Sequence, residues 1–130
     1  MFKTIPAFSS FSVDDIPRAK QFYTESLGLE VKEIPEGLEL YLFGGAKVFI
    51  YHSTDYTAPE HTVLNFVVDN IEKTVDELIK HGVHLEQYAE PNFKTDAKGI
   101  LRSQGEVGPY AIAWFKDPAG HILAVMQVKE

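Results

Sequence analysis

Along this chain, strict alternation of apolar and polar positions gives way to helical spacing and then returns, and the whole cycle runs twice. In the first round residues 6–13 alternate as a strand, and Asp14 or Asp15 stands where a helix cap is needed. Ile16, Ala19, Tyr23 and Leu27 then recur at helical spacing over 16–27, and Gly28 supplies a left-handed stop. Segments 29–34, 37–43 and 46–52 are short and rich in aliphatic and aromatic residues. Pro35-Glu36-Gly37 and Gly44-Gly45 separate them, which predicts a three-stranded meander. The second round opens with a strand over 61–68. Asn70 caps a helix whose apolar face is Ile71, Val75, Leu78 and Ile79, and Gly82 ends it. Strands follow at about 84–89, 100–104, 109–116 and 121–128, the last two joined by the turn Asp117-Pro118-Ala119-Gly120.

The first round therefore reads β-α-β-β-β, and the second repeats that order with one further strand after its helix. The expectation is one domain over 1–130 made of two modules, about 1–55 and 60–130, linked by 54–60. The second module carries an insertion at 90–108, rich in polar and turn residues, and a loop of that length in a compact domain is expected to serve function, here as a lid.

Composition removes several classes of function. The absence of cysteine excludes thiolate catalysis, cysteine-ligated zinc and a disulfide framework. A formal charge of −7 disfavours nucleic acid, whose binding needs a basic face. No apolar run approaches the ~20 residues of a membrane helix, and Met1 to Pro6 lacks the apolar core of a signal peptide, so a cytoplasmic protein with no membrane partner is expected.

Val13-Asp14-Asp15-Ile16-Pro17-Arg18-Ala19-Lys20-Gln21-Phe22-Tyr23, Leu27-Gly28-Leu29 and Trp114-Phe115-Lys116-Asp117-Pro118-Ala119-Gly120-His121-Ile122-Leu123 resemble the vicinal oxygen chelate superfamily. That superfamily holds glyoxalases, bleomycin-resistance proteins, extradiol dioxygenases, fosfomycin-resistance enzymes and epimerases. The resemblance implies an α+β fold in which two paired βαβββ modules form a curled mixed sheet around a cleft. It also implies a homodimer, with modules pairing within a chain or by exchange. Metal-dependent members hold their ion on four cleft-facing strand positions. Carried over by count from Asp15, Asn70 and the glycines, those positions are Phe8, Phe49, Val63 and Ala124, all apolar. Hydrocarbon offers no donor to a divalent transition metal, so no metal and no cofactor are expected. A slip of two residues in register brings only His61, Tyr51 and the soft Met126 as donors, without a carboxylate.

The cleft lining that the resemblance implies is then a mixed set of Phe8, Ser10, Ser12, Phe49, Tyr51, Val63, Asn65, Val67, Ala124 and Met126. Trp114 belongs with them if its strand turns that way. Ser10 and Asn65 hold equivalent places in the two modules. A few polar groups in an aromatic cavity suit an apolar small molecule, although the pair also fits a core that satisfies its own hydrogen bonds. Weak candidates for acid–base work are His61, Glu86 and Glu90, while Lys94 and Arg102 flank the long loop and are either solvated or anion contacts. Among the other histidines, His121 is expected to be solvated in its turn, His81 to sit at a helix C-terminus, and His52 and His84 to lie on the surface.

Two functions fit. The first is a metal-free domain of the bleomycin-resistance kind that binds, and sequesters, an antibiotic or other toxic small molecule. The alternative is a glyoxalase-type lyase or isomerase acting on a small carbonyl compound, by metal-free acid–base chemistry or with a rearranged metal site.

Overall fold

A computed structural model of the chain describes residues 1–91, 93–102 and 111–128. The chain divides into two compact units, Met1–Thr57 and Ala58–Glu130. Among the described residues each unit holds a four-stranded mixed sheet with a helix on one face, an α+β architecture. No helix among these residues is long and apolar enough to cross a membrane.

In the first unit the strands are β1 (Ser9–Val13), β2 (Glu30–Ile34), β3 (Gly37–Tyr41) and β4 (Lys47–His52), in the spatial order β1-β4-β3-β2. The outer strand β1 runs parallel to β4, whereas β4, β3 and β2 form the antiparallel meander that the short turns require. Helix α1 (Ile16–Gln21) begins where the Asp15 carboxylate accepts the Arg18 backbone N–H at 3.0 Å. It widens into a π-helical turn over Phe22–Ser26 instead of running regularly to 27. There the Leu27 N–H reaches the Phe22 carbonyl and the Leu29 N–H that of Tyr23, before Gly28 turns the chain at a φ of 70°. Ala19 of the helix and Tyr23 of the π turn are buried together with Val13, Leu38, Leu40 and Ile50. Each large member of such a core contributes roughly 1.5–3 kcal/mol by leaving water.

The second unit repeats the plan with β5 (Thr62–Val67), α2 (Ile71–Lys80), the two-residue strands β6 (Ala89–Glu90) and β7 (Phe93–Lys94), and then β8 (Ile100–Arg102), β9 (Ala111–Lys116) and β10 (Ile122–Gln127). The main sheet runs β5-β10-β9-β8, again with a parallel pair, β5 and β10, at one side. Asn70 caps α2 through the Lys73 backbone N–H, and the Gln127 side chain takes the Ile71 N–H at 2.9 Å. Ile71, Val75 and Leu78 are buried with Ala113, Phe115, Leu123 and Val125.

Three further details differ from the reading of the sequence. Ile79 is half exposed. At 3.6 residues per turn it lies about 80° around the helix from Ile71, at the margin of the stripe that Val75 and Leu78 share. The strand expected over 84–89 shrinks to one bridge, Leu85 with Phe115, because the chain then turns into the β6–β7 hairpin. His121, expected in solvent, is 2% exposed. Asp117 Oδ1 accepts the backbone N–H groups of both Ala119 and His121, and the Asp117 N–H donates to the His121 carbonyl. The turn is thereby drawn tight and residue 121 is carried inward. Residue 92, the 103–108 part of the long loop and the expected strand ends at 103–104 and 109–110 lie outside the described residues.

Candidate functional site

Alternation along each strand gives the first sheet two unlike faces. Phe11, Val13, Leu38, Leu40, Val48 and Ile50 share the face beneath α1. The opposite face is built by register: Ser10 stands beside Phe49 and Ser12 beside Tyr51, while Phe49 stands opposite Glu39 and Lys47 opposite Tyr41. The Phe49 and Tyr51 rings stack with centroids 5.8 Å apart. Phe8, just ahead of β1, is 66% exposed, and Tyr51 is 41% exposed, so this side of the sheet retains an open aromatic surface.

A pocket of about 210 Å³ opens on it. Phe8, Ile34 and Phe49 supply its apolar wall and Glu36, Glu39 and Lys47 its polar edge, while Val48, whose side chain belongs to the face beneath α1, also borders it. Glu39 is the most tightly held of the three. Its Oε1 accepts the Tyr41 hydroxyl at 2.8 Å, and its Oε2 lies 3.5 Å from Lys47 Nζ. The Lys47 ammonium also sits 5.6 Å over the Tyr41 ring. The Tyr41 hydrogen bond, aided by the charge of Lys47 and opposed by partial desolvation, holds the Glu39 carboxyl below its ordinary pKa. The same hydrogen bond pushes the Tyr41 phenol up, so at neutral pH the pair is carboxylate and phenol. The sequence reading overlooked Glu39. Its signal was the alternation Leu38-Glu39-Leu40-Tyr41, which puts a carboxylate and a phenol side by side on one face.

In the second unit Ala124 lies between Asn65 on β5 and Trp114 on β9, and Met126 between Val67 and Ile112. The register thus fixes the face of Trp114, which it shares with Asn65, Ala124 and Met126. Val63 falls where the β5–β10 register shifts, between the pairs Thr62 with Ile122 and Leu64 with Leu123. Asn65 and Val67 are exposed, whereas Ala124 is fully buried. Tyr88 and Phe93, the latter carried by the β6–β7 hairpin, meet the Trp114 ring edge-on and tilted, at 5.6 and 5.1 Å.

The weak acid–base candidates are not drawn together. His61 is exposed just ahead of β5, Glu86 pairs with Lys116 at 3.6 Å, and Glu90 is exposed on the hairpin. Arg102 is engaged by Glu72 at 2.9 Å, while Lys94 is exposed. Phe8, Phe49, Val63 and Ala124 present no nitrogen, oxygen or sulfur donor from their side chains. Among the described residues no group of three or more His, Cys, Asp or Glu side chains is placed to hold a metal ion. The chemistry of these residues does not fit a transition-metal centre.

The family model of the Glyoxalase/Bleomycin resistance protein/Dioxygenase superfamily matches residues 6–125, and the chain belongs to that family. Solved structures share the fold. A glyoxalase family protein from Enterococcus faecalis is 25% identical, with 97% of this chain and 99% of that one covered and a TM-score of 0.65. TnmS3, an antibiotic binding protein from Streptomyces sp. CB03234, is 20% identical over 97% of this chain and 98% of its own, with a TM-score of 0.62. The fosfomycin resistance protein FosX from Listeria monocytogenes is 13% identical over 95% and 93%, with a TM-score of 0.68. No curated protein matches the sequence.

Proposed function

We propose that this member of the family is a metal-free small-molecule-binding protein of the antibiotic-sequestering kind, cytoplasmic and homodimeric, that holds its ligand without transforming it. The observation that carries the reading is the pocket whose walls include Phe8 and Phe49. These are two of the four positions at which the family resemblance calls for metal ligands, and both offer hydrocarbon to a guest. On this reading Ser10, Ser12 and Tyr51 of the first unit, and Val63, Asn65, Trp114, Ala124 and Met126 of the second, also belong to ligand-binding faces. The structural likeness to TnmS3, an antibiotic binding protein, and FosX, a fosfomycin resistance protein, agrees with such a role.

The test is a thermal-shift screen of the purified protein against cationic glycopeptides, aromatic acids and small carbonyl compounds, with mass analysis of each compound after incubation. A ligand at ~100 times its Kd stabilises the fold by about 2.7 kcal/mol. For a chain of this length that raises the melting temperature by roughly 10 °C. Phe49→Ala should remove most of that rise while the compound is recovered unchanged. Recovery of a converted compound, or of stoichiometric Zn²⁺, Ni²⁺, Mn²⁺ or Fe²⁺ from the native protein, would sink the proposal.

A further inference from the structure

We infer that the pocket of the first unit takes a cationic aromatic group, an aryl-alkyl amine or amidine, with Glu39 as its anchor and Lys47 as a displaceable counter-ion. This rests on the small-molecule reading above and narrows it to a ligand class.

Three observations converge. First, the polar edge of the pocket carries two carboxylates, Glu36 and Glu39, against one ammonium, Lys47, so its formal charge is negative. Lys32 stands opposite Glu39 on β2 but does not line the pocket. Second, Glu39 has acceptor capacity to spare. A carboxylate accepts about four hydrogen bonds. Glu39 receives one short bond from Tyr41 and a long contact from Lys47, which is itself nearly half exposed. An incoming ammonium therefore needs to displace only the weaker partner, while the Tyr41 hydroxyl keeps the carboxylate aimed. Third, the walls include two phenyl rings, Phe8 and Phe49, whose faces attract cations and accept aromatic groups. The volume of about 210 Å³ exceeds the ~150 Å³ that holds a benzene ring. An anionic ligand would meet Glu36 and Glu39, and a purely apolar one would bury the Glu39 carboxylate without replacing its solvent.

The probes are three single-ring compounds of matched size: benzylamine, a cation at neutral pH, neutral benzyl alcohol, and anionic benzoate. Each is titrated into the full-length protein and followed by NMR at the Phe49 and Glu39 amides. Benzylamine should bind at least tenfold more tightly than benzyl alcohol, as a charge-assisted hydrogen bond predicts, and Glu39→Gln should erase that preference by weakening benzylamine. Lys47→Met should move the other way and tighten benzylamine severalfold, because the competing ammonium is gone. Lys47→Met carries the test by itself if Glu39→Gln does not fold. Equal binding of benzylamine and benzyl alcohol, a preference for benzoate, or weaker benzylamine binding in Lys47→Met would overturn the inference but leave small-molecule binding standing. Failure of all three probes to perturb Phe49 would overturn both.

Discussion

Gly37 opens β3 with a φ of 152°, in the range that L side chains rarely adopt, and the space above its Cα is already taken. A Cβ built there would lie 2.0 Å from the Ile50 carbonyl oxygen and 3.2 Å from the Tyr51 Cα. Both neighbours are backbone in the adjoining strand β4, so no side-chain rotation relieves the clash, and the Gly37→Ala chain must part the two strands or re-form the turn that joins β2 to β3. Overpacking of a tight site costs roughly 1–3 kcal/mol, and the backbone conformation costs about as much again. Together these amount to about 2–6 kcal/mol, a large share of the roughly 5–15 kcal/mol by which domains are stable. For 130 residues this lowers the melting temperature by roughly 7–22 °C. Gly28→Ala is the control. Its φ is also positive, at 70°, but nothing lies within 4 Å of its Cβ position, so only the conformational cost of about 1 kcal/mol applies. Circular-dichroism melts of the two variants beside wild type provide the measurement. A Gly37→Ala protein that melts within about 3 °C of wild type, or no lower than Gly28→Ala, would refute the steric argument.

Two further predictions follow from burial and charge. Leu78→Ala should cost about 2–5 kcal/mol in urea denaturation, whereas Ile79→Ala, at the exposed margin of the same helix, should cost under about 1 kcal/mol; equal losses would contradict the packing described. The Glu39–Tyr41 hydrogen bond lowers the carboxyl pKa, so its contribution is present above the unfolded value and lost as pH falls through the lower folded one. It raises the phenol, so stability is present below the unfolded tyrosine value and lost as pH rises through the higher folded one. Tyr41→Phe should therefore flatten the acid limb of the stability profile, and one component displaced to high pH should vanish from the tyrosinate absorbance titration. An unchanged acid limb would mean that the bond does not persist in solution.

Local chemistry made much of the scaffold legible in the sequence. Asp15 and Asn70 announced both helices because an Asx carboxylate or amide at that position can satisfy an otherwise orphaned N–H, and both do so. The strands of the first-unit meander could be read because alternation and turn residues are short-range signals. Long-range pairing was not legible. The face of Trp114 depended on its register with Ala124, the burial of His121 on a hydrogen bond four residues back, and the collapse of the 84–89 strand on competition from a hairpin. Glu39 was passed over for the same reason. Alone it looks like one more solvated glutamate, and only its placement beside Tyr41, Lys47 and Phe49 gives it a role.

The two-sidedness of the first sheet sets how such a protein can change. Inserting or deleting one residue inside β3 would exchange Glu39 and Tyr41 for Leu38 and Leu40, turning the pocket-bearing face into a core and the core into a surface. Divergence of the pocket lining must therefore proceed by point replacement on one side of a fixed lattice, with length changes confined to the connections. A lineage under that rule can reshape its pocket without renegotiating its folding.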